Sequence, residues 1–308
     1  MKTIELRDKA NTKITVYEFK SKSSPKAIIQ LFHGAGEHAL RYQETAEALT
    51  QKGYHVLIHD QIGHGATAVH NDFVFFAKHN GAQKLIDASY EVYQYSHQLE
   101  PDLPIFAIAH SMGSLVLRAM NNQYPELYHG VVYIGSPYMS TFKVKMIQRL
   151  AKLIKTFKGD LHISKLITNM TQDRAYQSMK KRGLIEYRHE WVTSNVEIQR
   201  KARKDPKIGQ PFTISAQLDL FQLIILAHQK SPFPGSNQLI YVLCGDQDAL
   251  CEYGQKVSLL GEFFDKQGNT NVKHKVYVNS RHEILNEPVR HTVLNDIDFQ
   301  FEDCIKNC

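Results

Sequence analysis

The chain has 308 residues, of which 43% are hydrophobic and 10% aromatic, so it can bury the core of one catalytic domain that carries an insertion. Its net charge of +6 is mild, and no run of Lys and Arg interleaved with aromatic residues indicates a nucleic-acid groove. No stretch approaches about 18 consecutive apolar residues, and the N-terminus lacks the apolar core of a signal peptide, so we expect neither a membrane-spanning helix nor a secreted protein.

Short apolar segments predict the strands, taken in chain order. The N-terminal MKTIELRDKANTKITVYEF alternates apolar and polar residues as a strand hairpin does. Six later segments end in or near Gly, His, Asp or Ser and are followed by helix-like patterns, namely AIIQLFHG (27–34), YHVLIHD (54–60), IFAIAHS (105–111), VVYIGSP (131–137), LIYVLCGD (239–246) and HKVYVNS (274–280). This rhythm predicts an α/β fold with a mostly parallel central sheet flanked by helices. Ligands of such sheets bind beyond the carboxyl ends of the strands, so functional residues should follow these segments.

The alternation of strands and helices breaks between residues 139 and 208. This range has helical periodicity and no convincing strand, and residues 141–210 contain 17 Lys or Arg against 6 Asp or Glu. We therefore expect a core of residues 1–138 and 209–308, with a basic helical cap at 139–208 inserted into it.

The segment FKVKMIQRLAKLIKTFK (142–158) has the pattern of an amphipathic basic helix. Its apolar positions are Phe142, Met146, Leu150 and Ile154, spaced four apart, with Ile147 and Phe157 alongside. Its basic residues are Lys143, Lys145, Arg149, Lys152 and Lys155. Two interpretations remain open, because the apolar residues can pack on the domain beneath or contact an anionic membrane or micelle surface.

The pentapeptide Ala109-His110-Ser111-Met112-Gly113 overlaps the end of the third of the six segments. It matches the nucleophile elbow G-x-S-x-G with alanine in place of the first glycine. Small residues two before and two after the serine relieve crowding in this turn, and alanine still meets that need. A helix beginning beside Ser111 would favour an anionic centre there. The pentapeptide alone is weak evidence for a nucleophile.

A nucleophilic serine needs a histidine base and a carboxylate that orients it, and in an α/β-hydrolase the chain order is Ser, acid, His. Asp246 and Asp248 follow one predicted strand, and His282 follows the last. We prefer Asp248, because it lies deeper in the loop whereas Asp246 directly follows the strand. His274 is a competitor of His282, but it falls at the start of its strand, on the wrong edge of the sheet.

The remaining requirement is an oxyanion hole. The amide that follows the nucleophile belongs to Met112, and a second amide should come from the loop His33-Gly34-Ala35-Gly36-Glu37-His38. The two glycines let this backbone approach a substrate closely, so we predict Ala35 as the second donor.

Five motifs carry a resemblance to a known family: HGAGEHALRY (33–42), HDQIGHG (59–65), AHSMGS (109–114), GDQDALC (245–251) and RHEILNEP (281–288). In this order they resemble the monoacylglycerol lipase and lysophospholipase group of serine α/β-hydrolases, over residues 25–137 and 209–300. The resemblance implies a triad of Ser111, Asp248 and His282 with oxyanion amides from Ala35 and Met112. It also implies that Glu37 and Arg41 lie near the polar head of the substrate. Relatives with a second histidine three residues after the catalytic one differ here, since this chain has Leu285, and this puts glycerol recognition in doubt.

The predicted activity is hydrolysis of a carboxylic ester through an acyl-enzyme, with no metal or organic cofactor. A monoacylglycerol and a lysophospholipid compete as single-chain lipid substrates, and a general short-chain carboxylesterase is an alternative. A non-catalytic binding protein on a hydrolase scaffold is the alternative from another class. We read Cys244, Cys251, Cys304 and Cys308 as free thiols of a cytoplasmic protein that can associate peripherally with membranes.

Overall fold

The computed structural model describes residues 1–230 and 237–307. Within them one sheet contains eight strands in the order β1-β2-β4-β3-β5-β6-β7-β8. The strands are β1 (Lys2–Arg7), β2 (Lys13–Phe19), β3 (Ala27–Phe32), β4 (Tyr54–His59), β5 (Ile105–His110), β6 (Gly130–Ile134), β7 (Leu239–Gly245) and β8 (Val272–Tyr277). Strands β1 and β2 pair antiparallel, β2 runs antiparallel to β4, and the others run parallel. The predicted hairpin, the six predicted strands and the α/β fold class are thus confirmed.

Helices cover both faces of the sheet. They are α1 (Gln43–Gln51), α2 (Gly81–Leu99), α3 (Met112–Gln123), α4 (Thr141–Lys158), α5 (Lys165–Met170), α6 (Gln172–Lys181), α7 (Val196–Lys204), α8 (Ile214–Ala227), α9 (Gln255–Asp265) and α10 (Arg290–Lys306). One apolar layer includes side chains of α2, α3, α8 and α9, and the other includes side chains of α1 and α10. Alternate residues of β5 enter the two layers, because successive side chains of a strand point to opposite faces.

Burial on both faces explains why the central strands could be read from the sequence. Every residue of β3 through β7 is buried, so these strands are almost continuous apolar runs. The edge strands β1 and β8 are largely exposed and carry Lys, Glu and Arg, or Lys and His. Charged edges of this kind discourage pairing with strands of another chain.

The range from 139 to 208 contains α4, α5, α6, α7 and a short 3-10 turn at Arg188–Glu190, and no strand is described within it. Residues 209–213 connect this range to the core. Within them Phe212 pairs with Val74 in an isolated β-bridge. The helix that follows, α8, packs on α3 and α4 and therefore connects the core to the inserted helices. The exact division at residues 139 and 208 stays a prediction.

Helix α4 divides its apolar residues between two faces. Val144 and Ala151 are buried, and Ile147, Leu150 and Ile154 pack partly buried against the core. In contrast, four large apolar residues of α4 are exposed, namely Phe142 (72%), Met146 (52%), Leu153 (57%) and Phe157 (77%). The predicted single apolar row is therefore wrong in part, since Phe142, Met146 and Phe157 do not pack on the domain beneath. Among the described residues no helix is both long and apolar enough to cross a bilayer.

The cysteine predictions are tested only in part. Cys244 and Cys251 are buried free thiols. Cys304 is partly buried in α10, and Cys308 lies outside the described residues.

Candidate active site

Ser111 sits in a sharp turn between β5 and α3. Its backbone has φ 49° and ψ −115°, a conformation that costs a non-glycine residue free energy. The turn is held in place by a hydrogen bond from the Ser111 amide to the carbonyl oxygen of Ile134, at 2.9 Å. Helix α3 begins at the next residue, Met112. A strained turn from strand to helix is the geometry of a nucleophile elbow.

The small residues around Ser111 meet different constraints. A Cβ atom added at Gly113 would lie 2.7 Å from the carbonyl oxygen of Phe32 and 2.6 Å from that of His33, so no side chain fits there. Ala109 lies fully buried in β5 between Phe32 of β3 and Tyr133 of β6, and its methyl group packs in the core. The alanine in place of glycine is therefore compatible with the turn.

The structure brings Asp248 to His282. The Asp248 Oδ2 atom is 2.8 Å from the His282 Nδ1 atom, and both side chains are buried. The other carboxylate oxygen of Asp248 accepts hydrogen bonds from the amides of Leu250 at 2.8 Å and Cys251 at 3.3 Å. Asp246 instead accepts a hydrogen bond from the amide of Ser280 at 3.1 Å. Of the two aspartates that the sequence offered, only Asp248 contacts His282.

The charged groups around His282 together shift its pKa more than its burial does. Burial by itself lowers the pKa of His282, but Asp248, and after it Glu283 and Glu37, raise that pKa above its usual value. For Asp248, burial by itself raises the pKa, but His282, the Cys251 side chain and the Leu250 amide together lower that pKa below its usual value. The pair therefore stabilises a positive charge on the imidazole, as a base must when it takes a proton.

His110, the residue directly before Ser111, connects the elbow to His282. The His110 and His282 rings lie 4.6 Å apart, centroid to centroid. In the part of the chain that the structure describes, Ser111 Oγ makes no hydrogen bond to His282, although both residues are buried at this edge of the sheet. Such bonds are often long without substrate and tighten when substrate binds.

Gly135 lies directly against the Asp248–His282 pair, and its replacement by alanine tests that contact. A Cβ atom there would be 2.9 Å from His282 Nδ1 and Cε1, and the φ of +57° is unfavourable for alanine. We expect Gly135→Ala to lower kcat by about 100-fold, because a displacement of about 1 Å in a catalytic group has that effect. Steady-state kinetics on a p-nitrophenyl ester measures it.

Gly159→Ala is the matched control for this substitution. Gly159 also has a positive φ, +84°, but a Cβ atom there would meet nothing within 4 Å. Both variants should lose about 1–3 kcal/mol of unfolding free energy from backbone strain, and only Gly135→Ala should lose activity. Equal kcat values for the two variants would contradict the expected displacement of His282.

In the loop after β3, the amides of two residues donate hydrogen bonds within the described part of the chain, and the amide between them does not. The amide of Gly34 donates to Glu37 Oε1 at 2.5 Å, and that of Gly36 donates to His64 Nε2 at 3.0 Å. Ala35 between them is exposed, and within residues 1–230 and 237–307 its amide has no acceptor. Met112 is the first residue of α3, where an amide has no acceptor within the helix. Both amides that the sequence singled out are thus free to donate.

Glu37 and Arg41 form a buried charge cluster together with a residue that the sequence analysis missed. Glu37 Oε1 accepts hydrogen bonds from the Gly34 amide and from Tyr42 Oη at 2.8 Å, and contacts His110 Nδ1 at 3.1 Å. The Arg41 guanidinium pairs with Glu37 and donates two hydrogen bonds to Glu283, at 2.7 and 2.6 Å. The Arg41 side chain is only 8% exposed. Arg41 is thus already paired with two carboxylates inside the protein. The role of Glu37 and Arg41 near the substrate head group stays a prediction.

The pKa of Glu37 reflects this cluster. Burial by itself raises the pKa of the Glu37 carboxyl, whereas Arg41 and His110 hold it well below its usual value. Arg41 is also buried, but Glu283 and Glu37 keep its pKa well above the usual value. Glu37 is therefore an anion and Arg41 a cation at neutral pH, and each is paired with an opposite charge inside the protein.

Glu283 and Trp191 are the residues at this site that escaped the sequence analysis. Glu283 follows His282 directly, and its acidic side chain beside a predicted base was the available signal. Trp191 comes from the inserted helical region and stacks on His282, with the ring centroids 5.0 Å apart and the planes 24° from parallel. No motif surrounds Trp191, so nothing in the local sequence indicated this contact.

Comparison with known proteins identifies the family of this chain. Residues 23–289 match the model of a hydrolase family described as Serine aminopeptidase, S33. The chain belongs to this family. It is 26% identical over 293 residues to the mouse monoglyceride lipase, which covers 91% of this chain and 84% of that protein. It is 34% identical over 152 residues to the monkeypox virus monoglyceride lipase homolog, which covers 46% of this chain and 50% of that protein.

Solved structures of an esterase and a lipase share the fold of this chain. A thermostable carboxyl esterase from Bacillus coagulans superposes with a TM-score of 0.84 at 22% identity, over 99% of this chain and 98% of that one. The predictions of a serine α/β-hydrolase of the monoacylglycerol lipase group and of a carboxylic ester hydrolase are both confirmed.

Proposed function

We propose that the chain hydrolyses carboxylic esters of single-chain lipids through an acyl-enzyme, with Ser111 as nucleophile, His282 as general base and Asp248 as the residue that orients His282. The observation that carries the proposal is the 2.8 Å contact between Asp248 and His282 beside a serine in a strained elbow. Family membership supports the same reaction class.

In the proposed reaction His282 accepts the proton of Ser111 as the serine oxygen attacks the ester carbonyl carbon. The tetrahedral intermediate collapses when the carbon–oxygen bond to the alcohol breaks, and His282 gives its proton to the departing alcohol. A water molecule then attacks the acyl-enzyme while His282 takes one of its protons. Return of that proton to Ser111 releases the carboxylic acid and restores the starting state.

The amides of Ala35 and Met112 are the proposed oxyanion donors. The absence of an acceptor for the Ala35 amide among the described residues and the position of Met112 at the start of α3 support this role. Each such donor stabilises the transition state by roughly 3 kcal/mol. The N-terminus of α3 adds a favourable dipole at the same place.

The proposed substrate has one acyl chain and a small alcohol or a phosphorylated alcohol. The mouse relative is named a monoglyceride lipase, which favours a monoacylglycerol. The basic residues of the proposed cap, residues 139–208, favour a phosphate head, which keeps a lysophospholipid as the competitor. Leu285, which is buried, provides no polar contact for a glycerol hydroxyl group. The B. coagulans neighbour, a carboxyl esterase, leaves a short-chain ester as the alternative substrate.

A comparison of substrates with one purified preparation tests the proposal. We expect faster turnover of a monoacylglycerol or a lysophospholipid than of a p-nitrophenyl acetate, and no cleavage of an aminoacyl p-nitroanilide. We also expect a fluorophosphonate probe to label the native chain but not the heat-denatured chain. Preference for the anilide would favour the aminopeptidase activity in the family name. Absence of labelling would favour a non-catalytic binding protein.

The exposed face of α4 supports a proposed contact with membranes or micelles. Phe142, Met146, Leu153 and Phe157 are exposed on this helix, and Lys143, Lys145, Arg149 and Lys152 lie among them in the sequence. Apolar side chains that enter the interface and basic side chains that meet anionic head groups are the two components of such binding.

Removing the basic residues tests the membrane contact. We expect the triple substitution of Lys143, Lys145 and Arg149 by Gln to weaken binding to vesicles of phosphatidylserine and phosphatidylcholine by about 100-fold, since each basic residue near an anionic surface contributes about 1 kcal/mol. Vesicle co-sedimentation at constant ionic strength measures the change. The control is the same replacement of Arg203, Lys204 and Lys207, which are exposed elsewhere in the cap. Equal binding of the two triple variants would exclude a specific role for α4.

A further inference from the structure

Hydrogen bonds join the segment that contains Trp191 to the loop that contains His282. The Glu283 amide donates to the carbonyl oxygen of Val192 at 2.7 Å, and Thr193 Oγ1 donates to the carbonyl oxygen of Asn286 at 2.9 Å. The Ser194 amide donates to Glu287 Oε1 at 2.8 Å. We call residues 184–194 the Trp191 segment and residues 280–287 the His282 loop.

Arg281 makes the largest single contribution to this connection. Its guanidinium donates to three carbonyl oxygens of the Trp191 segment, those of Leu184 at 3.0 Å, Glu190 at 2.6 Å and Thr193 at 3.2 Å. Its amide donates to Glu287 Oε1 at 3.0 Å, the same atom that accepts from Ser194. These bonds hold the Trp191 segment against the His282 loop, with Trp191 stacked on His282.

Trp191 covers one face of the His282 imidazole, and the His110 ring also lies against it, 4.6 Å away between centroids. Asp248 occupies Nδ1, the backbone of Gly135 lies close to Cε1, and the indole of Trp191 stacks on the ring. An imidazole bonded only through Nδ1 can still tilt about that bond. The stacked indole restricts this tilt, and an indole face also attracts the imidazolium that forms during the reaction.

We propose that Trp191 is a positioning residue for catalysis, which holds the His282 imidazole in its reactive orientation from the cap side. This inference rests on the proposed function, because it takes His282 as the base. It assigns to the cap a role in the chemical step in addition to contact with substrate.

Kinetics of substituted chains tests the inference. We expect Trp191→Leu to lower kcat for a p-nitrophenyl ester by about 10- to 100-fold with KM changed by less than about 3-fold. Trp191→Phe, which keeps an aromatic face, should recover kcat to within about 3-fold of the wild type. Tyr187→Leu, which removes an exposed aromatic side chain from the same segment, should leave kcat unchanged. A purely structural role would lower the amount of folded Trp191→Leu without changing kcat per labelled active site.

The fluorescence of Trp191 provides a readout that needs no substitution at this position. Trp191 is the only tryptophan of the chain, so the indole emission comes from this side chain alone. A protonated imidazole in contact with an indole quenches its emission, so emission should fall as the pH drops through the pKa of His282, which is raised above its usual value. The other charged or titratable groups around His282 are Asp248, Glu283, Glu37 and His110. The transition should therefore disappear in His282→Gln.

The outcomes separate this inference from the proposed function. If Ser111→Ala abolishes hydrolysis but Trp191→Leu keeps the wild-type kcat, the proposed function stands and the role of Trp191 is overturned. Wild-type emission that does not change with pH, or changes identically in His282→Gln, would also overturn it. A wild-type chain without hydrolase activity would overturn both proposals.

Discussion

Ser111→Ala is expected to lower kcat for ester hydrolysis by about 10⁴- to 10⁶-fold, because the variant has no nucleophile to form the acyl-enzyme. The folded state should remain intact, since alanine keeps the Cβ atom and the backbone hydrogen bond to Ile134. Strain in the elbow also stays the same, because the φ of 49° is equally unfavourable for alanine and serine. Hydrolysis of a p-nitrophenyl ester and the midpoint of thermal unfolding are the two measurements.

Ser258→Ala is the control, because Ser258 is an exposed serine of α9 whose hydroxyl donates to the carbonyl oxygen of Gln255 and, among the described residues, contacts no member of the proposed triad. It should keep wild-type kcat and remain sensitive to the fluorophosphonate probe. An active Ser111→Ala variant would show that the elbow serine is not the nucleophile.

Arg41→Met is expected to lower the free energy of unfolding by about 3–5 kcal/mol at neutral pH. The substitution leaves the buried Glu37 and Glu283 carboxylates without their shared cation, and breaking a buried ion pair has an effect of this size. Chemical denaturation of the wild type and the variant measures the difference.

The pH dependence of this loss has a definite sign. Because Arg41 lowers the pKa of Glu37 in the folded state, its stabilisation is fully present above the unfolded-state pKa of about 4.3 and is lost as the pH falls through the folded-state value. The difference between wild type and Arg41→Met should therefore shrink in acid. Arg200→Met, which breaks the exposed pair with Glu197, should lose less than about 1 kcal/mol.

The same variant also distinguishes the two roles considered for Arg41. A head-group residue would raise KM for a lysophospholipid when it is replaced and would leave the unfolding free energy almost unchanged. A residue that connects the oxyanion loop to the His282 loop would destabilise the fold and affect all ester substrates alike.

The sequence predicted those parts of the fold in which local pattern and burial coincide. The central strands are buried on both faces, so their apolar runs stood out. Asp248 could be preferred over Asp246 because its position in the loop, two residues later, let it turn toward the next strand end. Ser111 and the two oxyanion amides followed from the short motifs around them.

The remaining contacts depend on residues that are distant in the chain. Arg41 and Glu283 are 242 positions apart, and Trp191 reaches His282 from a region with no recognisable motif. The apolar row of α4 was misread for a geometric reason. Residues spaced four apart turn about 40° further around a helix at every step, so a row that starts at Phe142 moves from the exposed face to the packed face by Ile154.

The hydrogen bonds of Arg281 have a consequence for exchanging caps between relatives. The three carbonyl groups that accept from Arg281 belong to the proposed cap, whereas Arg281 itself belongs to the proposed core. A chimera that replaces only residues 139–208 would keep backbone carbonyls there but would change their placement against a half-buried guanidinium next to His282. A functional graft must therefore carry residues 280–287 of the donor protein together with its cap, so the unit that evolution or an engineer can exchange is discontinuous in sequence.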